Sequence, residues 1–251
     1  MFHIVIPARF AASRLPGKPL LVIGDRPLVQ WVWQCARASG AASVIIATDD
    51  VRIFDTATRF GADCLMTSAK HVSGTDRIAE VARVKSFAAD DVVVNLQGDE
   101  PLMPPAVIGQ IAEALSARPQ IDIATAVAPI LSLEEFLDSS CVKALRAPDG
   151  SALYFSRAPV PWPRDSVADG LPTRFAGAWR HIGIYAYRAG FLQQYAKLTR
   201  TPLEQAESLE QLRVLECGYA IATRLTPEPF PPGIDTEADI QRAEGWLGSQ
   251  S

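Results

Sequence analysis

The sequence predicts an α/β fold built on a mixed, mostly parallel twisted sheet flanked by helices, with an inserted antiparallel, loop-rich portion at about 140–190. Three observations predict it. Short β-branched runs alternate with helical patterns through the first half of the chain. A hairpin signal at Asp149-Gly150 then interrupts that alternation. Beyond a Pro- and Gly-rich stretch, the strand Arg180–Tyr187 shows strict period-2 patterning. The 251 residues suffice for a sizeable core and read as a single domain over 1–251, with no clear linker or internal repeat.

Each element has a local reason. His3–Pro7 (HIVIP), Ser43–Thr48 (SVIIAT) and Asp91–Leu96 (DVVVNL) have the continuous apolar character of strands buried on both faces of a parallel sheet. The helix Pro27–Ser39 begins with Pro, carries Arg37 near its end and stops at Gly40. Asp49–Phe60 has acids in its first turn and stops at Gly61. Ser73–Val84 opens on an N-cap serine with Asp76 three residues on, the spacing of a capping box. Strand–helix–strand order implies right-handed parallel crossovers. Pro104–Ser116 reads as a helix and Ile121–Ile130 as a strand. Val142–Arg146 and Ala152–Phe155 flank Asp149-Gly150 as a hairpin, and Arg157–Trp179 reads as a long loop. Leu203–Glu216 reads as one helix, with Leu203, Ala206, Leu209, Leu212 and Leu215 recurring every third residue. Thr236 opens a last helix, with Asp239 as its capping partner.

Composition narrows the function. Lys and Arg number 24 against 28 Asp and Glu, a net charge of -4. A nucleic-acid binder neutralises phosphates with a basic surface, so no nucleic-acid partner is expected. No apolar run approaches the roughly 18 residues of a membrane span, and Met1–Pro7 has no basic region of the kind that opens a signal peptide. No membrane insertion is expected. Cys35, Cys64, Cys141 and Cys217 form no C-x-x-C pair, which argues against structural zinc and a disulfide framework and suits a reducing cytoplasm.

The most informative stretch follows the first strand directly: Pro7-Ala8-Arg9-Phe10-Ala11-Ala12-Ser13-Arg14-Leu15-Pro16-Gly17-Lys18-Pro19. Ligands of open parallel sheets bind beyond the carboxyl ends of the strands. Arg9, Arg14 and Lys18 crowd three cations into this one loop of an acidic chain. Such clustering costs repulsion that a polyphosphate relieves. A solvated basic loop would explain any one of these cations; the three beside S-R-L-P-G-K-P point to phosphates. Neither the G-x-x-x-x-G-K-[ST] nor the G-x-G-x-x-G pattern is present.

Further polar loops follow later strands. Ser73 and Gly74 open a helix whose free N–H groups suit a base or phosphate, though a plain capped helix start explains Asp76. Gln97-Gly98-Asp99-Glu100 follows DVVVNL, and Asp99 is the natural candidate for Mg²⁺, which takes one or two carboxylates with phosphates and water. A polar turn is the plainer reading of that segment. On Arg180–Tyr187, the face bearing His181, Gly183, Tyr185 and Tyr187 combines hydrogen-bonding groups with space, as a sugar-binding wall or a solvated face would.

These segments, in order, resemble one family. I-P-A-R-F-A-A-S-R-L-P-G-K-P-L, H-V-S-G-T-D-R, Q-G-D-E-P, Y-F-S-R, R-H-I-G-I-Y and G-I-D-T are similar to sugar nucleotidylyltransferases, and most closely to the 3-deoxy-manno-octulosonate (Kdo) cytidylyltransferases. The likeness runs from Ile4 to Asp239; Phe10 stands where the family suggests Tyr, and Ala12-Ser13 where it suggests Ser-Thr. The resemblance implies a nucleotidyltransferase-like fold and transfer of CMP from CTP to Kdo, with pyrophosphate released, for lipopolysaccharide biosynthesis. It implies that Pro7, Ala8, Arg9, Arg14, Lys18, Ser73, Gly74 and Arg77 contact the nucleotide. Asp99 and Asp235 would hold Mg²⁺, and with Arg9 and Lys18 would form the catalytic set. Gln97, Arg157, His181, Gly183, Tyr185 and Glu210 would face the sugar, Glu210 being preferred over Glu207. It also implies a homodimer.

Three rivals are weighed on the sequence. A cytidylyltransferase for another acid sugar, such as a sialic acid or an 8-amino Kdo analogue, would share every loop motif. A nucleotide-sugar glycosyltransferase usually carries Asp-x-Asp, where this chain has Gly98-Asp99-Glu100. A non-catalytic nucleotide-binding module leaves the paired carboxylates and three cations unexplained.

Overall fold

A computed structural model of the chain describes residues 1–11, 15–71, 73–165, 167–168, 170–226, 233–234 and 236–248. The strands are β1 (Phe2–Ala8), β2 (Val22–Ile23), β3 (Arg26–Pro27), β4 (Ser43–Thr48), β5 (Asp63–Met66), β6 (Val92–Asn95), β7 (Ile123–Pro129), β8 (Lys143–Arg146), β9 (Ala152–Ser156), β10 (Val167–Ala168), β11 (Leu171–Pro172), β12 (Trp179–Arg188) and β13 (Ile221–Leu225). The helices are α1 (Leu28–Arg37), α2 (Val51–Arg59), α3 (Gly74–Val84), α4 (Pro105–Ser116), α5 (Leu133–Leu137), α6 (Ala189–Tyr195), α7 (Pro202–Glu207), α8 (Glu210–Glu216) and α9 (Glu237–Gly248), with a 3-10 turn at Lys18–Leu20. The fold is mixed α/β with a largely parallel sheet. The chain forms two compact units, 1–113 with 184–196 and 230–251, and 114–183 with 197–229.

In the first unit, β1 lies between β6 and β4, and β4 pairs with β5, all in parallel. The last residues of β12, Tyr185–Arg188, run antiparallel beside β6. Ile4, Val5, Ile6, Ile46, Val93 and Val94 are fully buried, which explains their unbroken apolar runs. Leu28, Val29 and Val32 on α1, Ile53 on α2, and Ile78 and Val81 on α3 cover the sheet faces at helical spacing. Burial of each such side chain contributes about 1.5–3 kcal/mol. All six carboxyl-end positions of β1 and β4 that matter here, from Ile6↔Ile46 to Ala8↔Thr48, are in register, so the loops after these strands emerge side by side.

In the second unit, β7 and β13 pair in parallel, Ile123 opposite Ile221. The expected hairpin forms: β8 and β9 are antiparallel, with Lys143 opposite Ser156, and Gly150 has φ 85. The start of β12 pairs with β8. The expected long loop contains a short antiparallel pair, β10 with β11.

One expectation fails. The single helix over Leu203–Glu216 is two helices, α7 and α8, separated at Ser208, which adopts φ 53 and ψ 48. A three-residue repeat advances about 300° per step on an α-helix, so its stripe winds off any one face. Leu209 and Leu212 are buried, while Leu203 is 39% exposed. The break is spanned by Glu204 and Arg213, both buried, with Nε and Nη2 donating to the two carboxylate oxygens at 2.7 and 2.5 Å.

Candidate active site

The site in the first unit grows from the end of β1. Pro7, Ala8, Arg9, Lys18, Gly74, Gln97, Gly98 and Asp99, with Ala11 and Pro19, line a cavity of about 210 Å³. Gly17, at φ 73, turns the loop back, and its N–H donates to the Phe10 carbonyl at 2.9 Å. The Phe10 ring packs on Gly17 and under the Arg52 guanidinium, 3.3 Å from the ring centre, a cation–π contact. An aromatic ring is thus what this position requires, and Phe meets that requirement without a hydroxyl. The turn delivers Lys18 into the cavity wall, where it is buried. Its Nζ donates to Asp99 Oδ2 at 2.7 Å.

The loop after β6 approaches β1 closely. A Cβ on Gly98 would lie 2.9 Å from the Pro7 carbonyl oxygen, so only glycine lets the two strand ends meet. Gly74 lines the same cavity at the start of α3. Ser73 caps that helix through the expected box: Asp76 N–H donates to Ser73 Oγ at 3.1 Å, and Ser73 N–H to Asp76 Oδ2 at 3.1 Å.

The segment carrying the second candidate metal ligand comes alongside. Ile234 N–H donates to the Asp99 carbonyl at 2.8 Å, and a Cβ on Gly233 would strike Glu100. Arg14 and Asp235 lie outside the described residues. Thr236 caps α9 as expected, its N–H donating to Asp239 Oδ2 at 2.7 Å.

Arg77 sits elsewhere. Its side chain is fully buried, Nη2 donates to Asp49 Oδ2 at 2.8 Å, and Nη1 donates to Thr67 Oγ1. It ties α3 to the loops after β4 and β5 and does not line the cavity.

Of the sugar candidates, Gln97 lines the cavity and Tyr185 pairs with Asn95 at the end of β6, its ring stacked on Tyr187 at 5.8 Å. The others belong to the second unit. His181 faces Thr125 Oγ1 at 3.0 Å and meets Phe155 edge-on at 5.0 Å; burial pushes its imidazole down to about 3, so it stays neutral. Gly183 has no atom within 4 Å of a built Cβ, leaving the open space its position suggests. Glu210 is exposed on the first turn of α8. Arg157 is half-buried: Nε donates to the Glu207 carbonyl at 2.8 Å and Nη1 to the Ser139 carbonyl at 3.1 Å. The Glu207 carboxylate accepts from Ser156 Oγ at 2.5 Å and from Arg157 N–H at 2.8 Å.

Sequence reasoning missed Lys143. Its ammonium is wholly buried and donates to the carbonyls of Asp138 and Cys141 at 2.7 and 2.6 Å, and burial lowers its pKa. A lone lysine in a strand gives no sequence signal of such a role. Burial pushes the Cys35 and Cys141 thiols up to about 11 and Cys64 to about 12, which leaves these three inert as nucleophiles.

The arrangement is a glycine-lined cavity at strand ends, with an aimed lysine and a carboxylate, and the sequence model of the cytidylyltransferases matches residues 3–221. The chain belongs to the cytidylyltransferase family. Among its relatives, the 3-deoxy-manno-octulosonate cytidylyltransferase of Xanthomonas campestris pv. campestris (strain B100) is 54% identical, over 99% of this chain and 89% of that protein. The enzyme of the same name from Acinetobacter baumannii (strain AYE) is 49% identical over 96% of each. A solved structure of CMP:2-keto-3-deoxy-manno-octonic acid synthetase complexed with CTP matches with TM-score 0.91 and 39% identity, over 100% of both chains. A cytidylyltransferase from Leptospira borgpetersenii shares the fold at TM-score 0.65 and 17% identity, over 99% of this chain and 87% of that one.

Proposed function

We infer that this cytidylyltransferase transfers CMP from CTP to the anomeric hydroxyl of Kdo and releases pyrophosphate. The observation that carries the reading is the cavity at the end of β1, where Lys18, Arg9 and Asp99 meet three glycine-bearing loops, in a chain 54% identical to a named Kdo cytidylyltransferase. The sugar hydroxyl oxygen attacks the α-phosphorus of CTP, the P–O bond to the β-phosphate breaks, and pyrophosphate leaves in line. No covalent nucleophile is needed, so positioning and charge stabilisation do the catalytic work. Arg9, Lys18 and Arg14 hold the triphosphate and then the pyrophosphate. The main-chain groups at the start of α3, at Ser73 and Gly74, read the cytosine. Gln97, on the cavity wall, orients the acid sugar.

The donor set fits Mg²⁺. Asp99 offers hard carboxylate oxygens at the cavity wall, and in this structure one of them already accepts a cation, the Lys18 ammonium. Asp99 would hold the ion with Asp235, phosphate oxygens and water. Bound there, Mg²⁺ would neutralise triphosphate charge and act as a Lewis acid. No helix among the described residues is long and apolar enough to cross a membrane. We further propose a cytoplasmic homodimer that supplies activated Kdo for lipopolysaccharide assembly.

The test is product identity. Incubation with CTP, Kdo and Mg²⁺ should give a ³¹P resonance of a phosphodiester with one equivalent of pyrophosphate. CTP consumed with no sugar phosphodiester, or activity only with a sialic acid or an 8-amino analogue, would reject the assignment to Kdo.

A further inference from the structure

A charged network in the second unit reaches beyond the residues assigned above. Arg157 carries a guanidinium that no carboxylate pairs with among the described residues; its Nε and Nη1 donate to two main-chain carbonyls instead, those of Glu207 and Ser139. Carbonyl dipoles fix the orientation of a guanidinium without cancelling its charge. The carboxylate of Glu207, which reaches the same residue, spends its oxygens on the Ser156 hydroxyl and the Arg157 main-chain N–H. Ser156 is almost wholly buried, so this grip is shielded from water.

Both sides of the bracket are themselves held. Glu207 is the last residue of α7, and the left-handed Ser208 turns the chain immediately after it. The buried Glu204–Arg213 pair fixes that turn from behind. On the other side, Ser139 lies in the turn that Lys143 anchors through the Asp138 and Cys141 carbonyls. Lys143 is opposite Ser156 across the β8–β9 ladder, so both side chains project from one face of that hairpin.

We propose that Glu207 is a positioning residue of the acid-sugar site, holding Arg157 so that its uncompensated guanidinium is aimed at the sugar carboxylate. The proposal rests on the Kdo cytidylyltransferase reading and adds to it a residue that touches no substrate. Lys143 and Ser156 support the same arginine at one remove.

The experiment compares wild type, Glu207→Gln, Ser156→Ala, Arg157→Ala and the Arg157→Ala/Glu207→Gln double variant. It reads KM for Kdo, KM for CTP, and the preference for Kdo over its neutral C1 carboxamide. Glu207→Gln should raise KM for Kdo about 10–100-fold, the scale for a misplaced substrate-binding group, leave KM for CTP within about twofold, and weaken the preference for the carboxylate. Ser156→Ala should do the same to a smaller extent. The double variant should be no worse than Arg157→Ala alone, because residues that act as one unit are not additive. In the free protein, the Arg157 Nε–H resonance should be sharp in wild type and exchange-broadened in Glu207→Gln. Losses that multiply in the double variant, or an unchanged carboxylate preference in Glu207→Gln, would overturn the proposal. Failure of the underlying reading looks different: the wild type itself would form no CMP-Kdo, or Arg157→Ala would keep full preference for the carboxylate.

Discussion

The Lys18 ammonium lies 2.7 Å from Asp99 Oδ2, so the loop after β1 and the loop after β6 are joined by their two most chemically useful side chains. On the function proposed above, the cation would engage the nucleotide phosphates and the anion the Mg²⁺, and here the two charges neutralise one another.

This pair gives the first prediction. With Asp99 at 35% side-chain exposure, the ion pair contributes only about 0–1 kcal/mol to stability. Lys18→Ala should therefore melt close to wild type while losing about 10²–10³ in kcat/KM, the scale for one aimed charge. Thermal melts and steady-state kinetics on the same preparation check this; wild-type kcat/KM in the folded variant would remove Lys18 from catalysis.

A second prediction concerns the metal. Ile234 N–H bonds the Asp99 carbonyl, which brings the neighbour of Asp235 to the neighbourhood of Asp99. If both carboxylates serve one ion, Asp99→Asn and Asp235→Asn should each abolish most turnover, and the double variant should be scarcely worse than the worse single. A kinetic double-mutant cycle at saturating Mg²⁺ decides it; multiplicative losses would leave Asp99 to act alone.

Arg77 should behave in the opposite way to Lys18. Its fully buried guanidinium pairs with Asp49, whose side chain keeps 20% exposure. Breaking a buried pair costs about 3–5 kcal/mol, and the hydrated Asp49 points to the lower figure. Urea melts of Arg77→Ala should show that loss; an unchanged midpoint would mean the pair is not structural.

His181 sets a pH limit. Its folded pKa is pushed from the ordinary 6.5 down to about 3 by burial. Above about 6.5 both folded and unfolded forms are neutral at this group; between about 6.5 and 3 the unfolded chain takes up a proton that the folded one refuses. Stability should then fall with falling pH, by at most about 1.4 kcal/mol per unit from this group. Urea melts at neutral and mildly acid pH should show a shallower loss for His181→Gln than for wild type; equal slopes would contradict the buried neutral ring.

The helix break also makes a prediction. Ser208 holds a left-handed conformation that costs a side-chain-bearing residue roughly 1–2 kcal/mol, so Ser208→Gly should raise the melting temperature. A lower one would show that its side chain matters more than its backbone.

How much of this was legible depends on distance along the chain. The Ser73–Asp76 capping box and the Asp149-Gly150 hairpin are set by a few adjacent residues, and the structure has them as the sequence implies. The short strands β1, β4 and β6 were readable because a strand buried on both faces has nothing polar to interrupt it. What failed needed contacts from afar. Leu203–Glu216 looks continuous until the Glu204–Arg213 pair and the left-handed Ser208 are known. Arg77 reads as a ligand-loop cation until Asp49 and Thr67 enclose it. The sequence reading prefers Glu210 to Glu207, and the bonds that Glu207 makes to Ser156 and Arg157, some 50 residues away, leave no local sequence signal.

The most direct measurement of the central claim is pyrophosphate release across four nucleoside triphosphates, with and without Kdo. Ser73 and Gly74 present main-chain groups at the start of α3, and a main-chain carbonyl can accept from the exocyclic amine of cytosine. Release should require Kdo and should be far faster with CTP than with UTP, ATP or GTP. Equal turnover with ATP, or release that does not depend on Kdo, would contradict it.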